Sequence, residues 1–211
     1  MNVQQGAQTL AASLAGAEEP YGFYGLVLSL KEWKRLAWIM ILKTQASPHS
    51  ISGSDALLFR EGMSRVAAAV HVVTTDGAAG RGGFTATAVT PVTDSPASLL
   101  VCVNTGSRSA QALLLNRVFC VNTLAGADVE LADIFAGRAG LQGVERFSRG
   151  EWDILKTGSP ALMTSLVSFD CRISDARVVA THHVIIGDIV SIRLGEPKSP
   201  LVYQGRHYHE L

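Results

Sequence analysis

Short apolar runs separated by turn residues dominate the chain beyond residue 55, and they predict strands more often than helices. Residues 69–75, AVHVVTT, are β-branched and predict a strand. Asp76-Gly77 and Gly80-Arg81 supply hairpin-turn chemistry, residues 83–90 form the return strand, and residues 91–96 hold a turn between two prolines. Residues 97–104, ASLLVCVN, are apolar almost throughout and predict a central strand, as do residues 117–124, RVFCVNTL. Residues 162–173 and 176–180 read as one long bent strand, paired in a hairpin with residues 183–194. Two short edge strands, 201–203 and 206–211, close the chain. Three stretches carry helical spacing instead. Asp55 caps a helix with Leu58, Phe59, Met63 and Val66 as its apolar stripe. Residues 107–115 begin with hydroxyls. Residues 128–135 place Val129, Leu131, Ile134 and Phe135 on one side. Roughly seven strands linked by short turns, with helices as insertions, predict a mainly β (α+β) antiparallel barrel and not an alternating β-α-β sheet.

Residues 1–54 follow a different pattern and are read as an N-terminal extension, with one domain over residues 55–211. Residues 1–19 are rich in Ala, Gln and Gly and lack the basic start of a secretory signal. Residues 24–43 contain two apolar runs split by Lys31, Glu32, Lys34 and Arg35, too short to span a membrane. They predict an amphipathic helix that packs on the domain, on a partner subunit or on a membrane surface. The alternative is a start of the native chain at Met40. Residues 45–54 form a polar linker.

With 18 basic and 18 acidic side chains the chain has no net charge, which argues against nucleic acid as a partner. Charged residues make up only 17%, a composition compatible with surface buried between subunits. Cys102, Cys120 and Cys171 lie in apolar runs without a C-x-x-C pair, and are read as core thiols in a reducing cytoplasm. His207 and His209 alone make no metal site. No dinucleotide fingerprint, P-loop, nucleophile elbow or H-E-x-x-H motif is present.

The remaining chemistry suits a flat, phosphorylated ligand. Asn104 ends a buried strand, and Ser107, Arg108 and Ser109 open a helix whose free N–H groups and dipole attract a phosphate. Simple helix capping by Ser107 or Ser109 is the competing reading. Phe84, Thr85, Ala86, Thr87 and Ala88 are small enough, after the Phe, for a ring to approach the backbone, unless Thr85 and Thr87 merely face outward from an ordinary strand. His182 can orient a ring, or can be a solvated turn residue.

These residues stand in an order that resembles the short-chain flavin reductases of two-component monooxygenases, including the pyrimidine-utilisation and 4-hydroxyphenylacetate types. The segments are FREGMSRVAAAVHVVTT, GRGGFTATAVTPVTDSPASLLVCVN, SRSAQALL, FCVNTLA, ERFSRGEW, GSPALMTSLVSFDCRI, THHVIIGDIVSI and PLVYQGRHYHEL, spread over residues 59–211. The resemblance implies an FMN-binding split β-barrel and a cytoplasmic homodimer. It implies FMN or FAD as the flavin and NADH or NADPH as hydride donor. A separate monooxygenase receives the reduced flavin; a module of the same fold that keeps its flavin is the alternative. It also implies that Phe84, Thr85, Ala86, Thr87 and Ala88 lie along the flavin ring, with Asn104, Ser107, Arg108 and Ser109 at the phosphate. Asn122 is implied to face the flavin. Tyr203, Arg206 and Tyr208 are placed near the nicotinamide side. His182, five residues before Gly187, takes the family histidine's place, with His183 as the competing candidate.

Overall fold

The structure is a computed structural model and describes residues 53–211. The amphipathic segment and linker expected before residue 53 lie outside the described residues. Helix α1 (Gly53–Ser64) leads into β1 (Ala68–Ala69), β2 (His71–Thr75), β3 (Gly82–Ala86), β4 (Val89–Asp94) and β5 (Ala97–Asn104). Helix α2 (Arg108–Asn116), β6 (Val118–Thr123) and helix α3 (Val129–Phe135) follow. The remainder is β7 (Trp152–Ile154), β8 (Pro160–Leu162), β9 (Val167–Val179), β10 (His182–Leu194), β11 (Leu201–Gln204) and β12 (His207–Glu210). Short 3₁₀ helices occupy Gly126–Asp128 and Gly143–Ser148.

Seven strands form one antiparallel sheet in the order β3-β2-β6-β9-β10-β5-β4, while β1-β11-β12 and β7-β8 form smaller sheets. The mainly β, antiparallel expectation holds, but the barrel is not closed: β3 and β4 are both edges. The single return strand expected over residues 83–90 is two strands, and they lie at opposite ends of the ladder. Only Thr87 and Ala88 separate them. Three peptide units reach at most about 11 Å, so the sheet must curl until its two edges are neighbours. The turn expected over residues 91–96 also shrinks, because β4 continues through Pro91 to Asp94. Proline is tolerated there because an edge strand has amides with no ladder partner to lose.

Inside the curl lies one core, with Val73, Phe84, Leu99, Val101, Val103, Leu113, Phe119, Val121, Ile173 and Ile185 buried together. A second core joins Val70, Val72 and Leu124 to Leu131, Ile134 and Phe135 of α3, and to Leu162 and Leu201. Strand β2 serves both, Val73 facing the first and Val72 the second, by the two-residue period of its pleat. The apolar stripe of α1 is not part of either: Leu58, Phe59, Met63 and Val66 are exposed. That helix is tied down by polar contacts instead. Glu61 pairs with Arg206 at 2.9 Å, and the Ser64 carbonyl accepts the Gly205 N–H.

β9 and β10 are 13 residues each and form the spine of the sheet. Their pairing slips between Ile186 and Gly187 and again between Ile189 and Ser191, and such bulges bend a strand. Gly187 sits against the fully buried Phe119 ring, which a Cβ at that position would strike, with Cys171 behind it. Gly187→Ala is expected to lower unfolding free energy by about 1–3 kcal/mol through overpacking, read from the urea midpoint.

His71, buried in β2, bonds through Nδ1 to Thr123 Oγ1 at 3.1 Å. Burial disfavours the imidazolium and pushes its pKa down to about 4. An unfolded chain with an ordinary value of 6.5 takes up this proton first as the pH falls. Stability from His71 is therefore complete above pH 6.5 and is lost progressively down to about pH 4. The loss is at most about 3 kcal/mol. Denaturant titrations across that window are expected to show the slope, and His71→Gln to flatten it.

Candidate functional site

The seam where the two sheet edges meet opens into a cavity of about 510 Å³. Phe84, Thr85, Ala86, Thr87 and Ala88 line one wall, spanning the end of β3 and the crossing to β4. Cys102, Val103 and Asn104 of β5 also line it, and the Cys102 N–H donates to the Ala88 carbonyl at 3.0 Å. Ser107, Arg108 and Ser109 stand at one end, and His182 borders the opening from β10. The structure therefore brings together residues that the sequence separates by about a hundred positions.

Register explains the assembly. β5 pairs antiparallel with β10, which sets Asn104 opposite His182 and Val103 opposite His183. Successive side chains on a strand face opposite ways, and it is His182, not His183, that lines the cavity. Its Nδ1 meets Thr181 Oγ1 at 3.0 Å. At the end of β5, Asn104 Oδ1 accepts the Gly106 N–H at 2.8 Å and turns the chain into α2. Ser107 is the helix cap, accepting from the Ala110 N–H at 3.3 Å, so the capping reading is correct for this residue, which also lines the cavity. Ser109 is not a cap: its Oγ donates to the Gly83 carbonyl at 2.9 Å and ties α2 to β3. Arg108 is exposed and makes no hydrogen bond or ion pair among the described residues.

Thr85 is half-buried and donates to the Ala132 carbonyl at 2.7 Å, which anchors β3 on α3. Gly83 permits this closeness, because a Cβ there would collide with the Phe135 ring. Five lining residues were not among the site residues expected from the sequence: Cys102, Val103, Phe135, Ala136 and Arg146. Arg146 is held by backbone carbonyls, with Nε on Leu141 and one terminal nitrogen on Gly83 and Phe135, at 3.2–3.4 Å. An arginine between Glu145 and Phe147 in an otherwise aperiodic loop was its one visible trace.

Two expected residues are elsewhere. Asn122 is fully buried on the far side of β6 and does not line the cavity. Its Nδ2 donates to the Val72 carbonyl, and its Oδ1 accepts from the Leu162 N–H and from Ser168 Oγ. Arg206 occupies the β11–β12 turn and is spent on Glu61. Tyr203 lies between these cases. With Tyr208 and Arg138 it lines a smaller depression of about 180 Å³ that shares Thr85, Thr87 and Ala136 with the main cavity. The two tyrosine rings pack edge to face, and the Arg138 guanidinium lies 5.7 Å from the Tyr208 ring.

All three cysteines are free thiols, but they are not alike. Burial pushes the Cys120 and Cys171 thiols far up, keeping them protonated. Cys102 is half-buried and borders the cavity, so the expectation of three core thiols holds for two. Among the described residues no group of three His, Cys, Asp or Glu side chains is arranged to hold a metal. His207 and His209 each bond to a backbone carbonyl.

A family model for the flavin reductase like domain matches residues 63–211. A protein of Stutzerimonas stutzeri (strain A1501), named FMN reductase (NADH) RutF, is 45% identical over 153 residues, covering 72% of this chain and 87% of the relative. The protein of that name from Agrobacterium fabrum is 41% identical over 174 residues, covering 82% of this chain and 99% of the relative. Among solved structures, BorF, the flavin reductase component of a bacterial two-component tryptophan halogenase, superposes with a TM-score of 0.69 at 27% identity. That match covers 74% of this chain and 98% of BorF.

Asn122→Ala leaves the buried Leu162 N–H and Ser168 hydroxyl without their shared acceptor. The substitution is expected to cost about 2–4 kcal/mol of stability in urea unfolding.

Proposed function

Since the chain belongs to the flavin reductase like domain family, we propose that it is an NAD(P)H:flavin oxidoreductase using FMN or FAD. The observation that carries this reading is the joining, in one cavity, of the small-residue crossing, a hydroxyl-rich helix start with a free arginine, and His182. Curated relatives named FMN reductase (NADH), at 41–46% identity, support FMN and NADH as the working pair.

A flavin held here would supply an electron sink for a hydride delivered by a nicotinamide donor. The chain's residues bind and orient. The crossing Ala86, Thr87 and Ala88 lets a flat ring lie against the backbone, with Phe84 and Thr85 behind it. Ser107, Ser109 and the first N–H groups of α2 face the phosphate end, where the helix dipole favours an anion by about 0.3–1 kcal/mol. Arg108 adds a charge-assisted hydrogen bond to that phosphate. His182 lines the cavity from β10, where it would orient the nicotinamide donor. Tyr203, in the adjoining depression, borders the same side. Asn122 and Arg206 have structural roles in this reading.

The cavity opens along an incomplete barrel, which suits a flavin that enters, is reduced and leaves for a separate monooxygenase. Exposed Val92, Val178, Val179, Ile192 and Leu194 support burial of sheet surface in a homodimer. Free cysteines accord with a cytoplasmic setting. No helix among the described residues is long and apolar enough to cross a membrane.

The full chain with catalytic FMN is expected to oxidise NADH or NADPH, and to reduce cytochrome c only when free FMN is added. Arg108→Ala is expected to raise the KM for FMN about tenfold, the loss of one charged hydrogen bond, while kcat stays within about twofold. Absence of NAD(P)H oxidation with both flavins overturns the reading; cytochrome c reduction without free flavin favours a module that retains it.

A further inference from the structure

Residues 139–146 link the end of α3 to the aromatic cluster at Phe147, and they border two cavities. Arg146 lines the first. With Gly140, Leu141, Gln142 and Gly143 it also lines a second, of about 410 Å³, whose other residues include Ser109 and Ala112 of α2. Both flanks of the segment are held. Arg138 pairs with Asp133 at 2.9 Å on one side, and on the other Phe147 packs edge to face on Phe135 and Trp152, each 5.1 Å away. The segment between is folded on itself: the Glu145 N–H donates to the Gln142 carbonyl, and the Gln142 N–H to Glu145 Oε2. Gly140 and Gly143 have φ +75° and +53°, angles that glycine takes freely, and a Cβ on either would meet nothing within 4 Å. Val144, beside them, is 64% exposed.

Leu141 rests against the second core, and Arg146 fastens the segment to the rest of the domain through the Gly83 and Phe135 carbonyls. Those bonds, 3.2 and 3.4 Å, are long for N–H···O and go to neutral acceptors. They hold Arg146 at rest, but they are exchangeable. The Gly83 carbonyl also accepts a shorter bond, 2.9 Å from Ser109, so it is not stranded when Arg146 leaves. A phosphate offers the same guanidinium a charge-assisted bond roughly twice as strong. We propose that residues 139–146 are a strap that closes on an anion. A phosphate at the start of α2 takes Arg146 from the two carbonyls, and the segment moves into the second cavity, with Gly140 and Gly143 absorbing the change in backbone angle. A ligand moves such an equilibrium only by its difference in affinity for the two positions, and here that difference is the new Arg146 bond. The closed strap holds the ligand until it reopens. The presence of a phosphate rests on the flavin reading above; the moving strap does not follow from that reading.

The test is hydrogen exchange of the full chain, read by mass spectrometry on peptides covering residues 139–146, at ligand concentrations that saturate each protein by flavin fluorescence. FMN is expected to slow exchange there about fivefold or more, while riboflavin, which has the ring and no phosphate, leaves it within about twofold. Arg146→Gln is expected to remove the FMN effect, with exchange in β9 and β10 unchanged as the sign of an intact fold. Bound FMN that does not slow the strap, riboflavin that slows it equally, or an Arg146→Gln chain that responds as the parent does overturns the proposal. Should Arg146→Gln lose FMN altogether, stopped-flow fluorescence of the parent decides. Two phases with FMN, the slower independent of its concentration, and one with riboflavin support the strap; a single phase with both overturns it. Inorganic phosphate separates this outcome from the flavin reading. A chain that binds neither flavin, but whose strap slows in phosphate, keeps the strap and counts against that reading. One that binds neither flavin and does not respond to phosphate overturns both.

Discussion

Thr87 and Ala88 carry the chain from one edge of a seven-stranded sheet to the other, and everything about the candidate site depends on how short that crossing is. A ladder of seven twisted strands left to itself is an open surface. Joined end to end by two residues, it has to roll up around Phe119, Val121, Ile185 and their neighbours. The hydrogen-bond ladder still fails to close, since β3 and β4 are not partners. The gap between them is therefore an obligatory opening, lined by backbone and small side chains and positioned over the core. The structure gains a cavity from the same constraint that gives it a curved sheet.

An unpaired sheet edge invites association with other chains. In this fold the β3 edge is occupied by side chains and not by another strand. The Gly83 carbonyl accepts from both Ser109 and Arg146, which brings helix α2 and the loop at residues 143–148 onto the same point. Thr85 fastens the strand to α3. The other side of the sheet uses buried polar groups: Asn122, Ser168 and Ser165 are linked by hydrogen bonds, and Asp170 accepts from Thr157 in the loop between β7 and β8. No buried side-chain nitrogen or oxygen lacks a partner among the described residues, so those groups add specificity without an unsatisfied member.

Local chemistry made much of this legible before the structure. Ser107 at a helix start, the apolar run of β5 and the long hairpin of β9 and β10 each follow from patterns a few residues long. What failed was information carried by distant pairing. Residues 83–90 keep strand-like composition throughout, with no proline to announce the crossing at Thr87, so two strands looked like one. Asn122 came from the resemblance alone, and because β6 is buried on both faces, alternation along the strand could not show which core its side chain enters. Arg206 is claimed by Glu61, 145 positions earlier, a pairing that no local rule exposes. Arg146 belongs to a loop without periodicity, and its position is set by carbonyls from three separate segments.

The arginines that border the cavity, Arg108 and Arg146, also bear on how fast a ligand arrives. Arg146 is pinned by backbone, so its charge occupies a nearly fixed point and loses little freedom when an anion approaches. Arg108, exposed and without an ion pair among the described residues, lines the same cavity. At physiological ionic strength such a field is screened beyond about 8 Å, and it therefore guides an anion only over the last stretch of its approach. Dilute buffer extends that reach and concentrated salt removes it, so the encounter rate with a phosphorylated ligand is set partly by the solution around the opening.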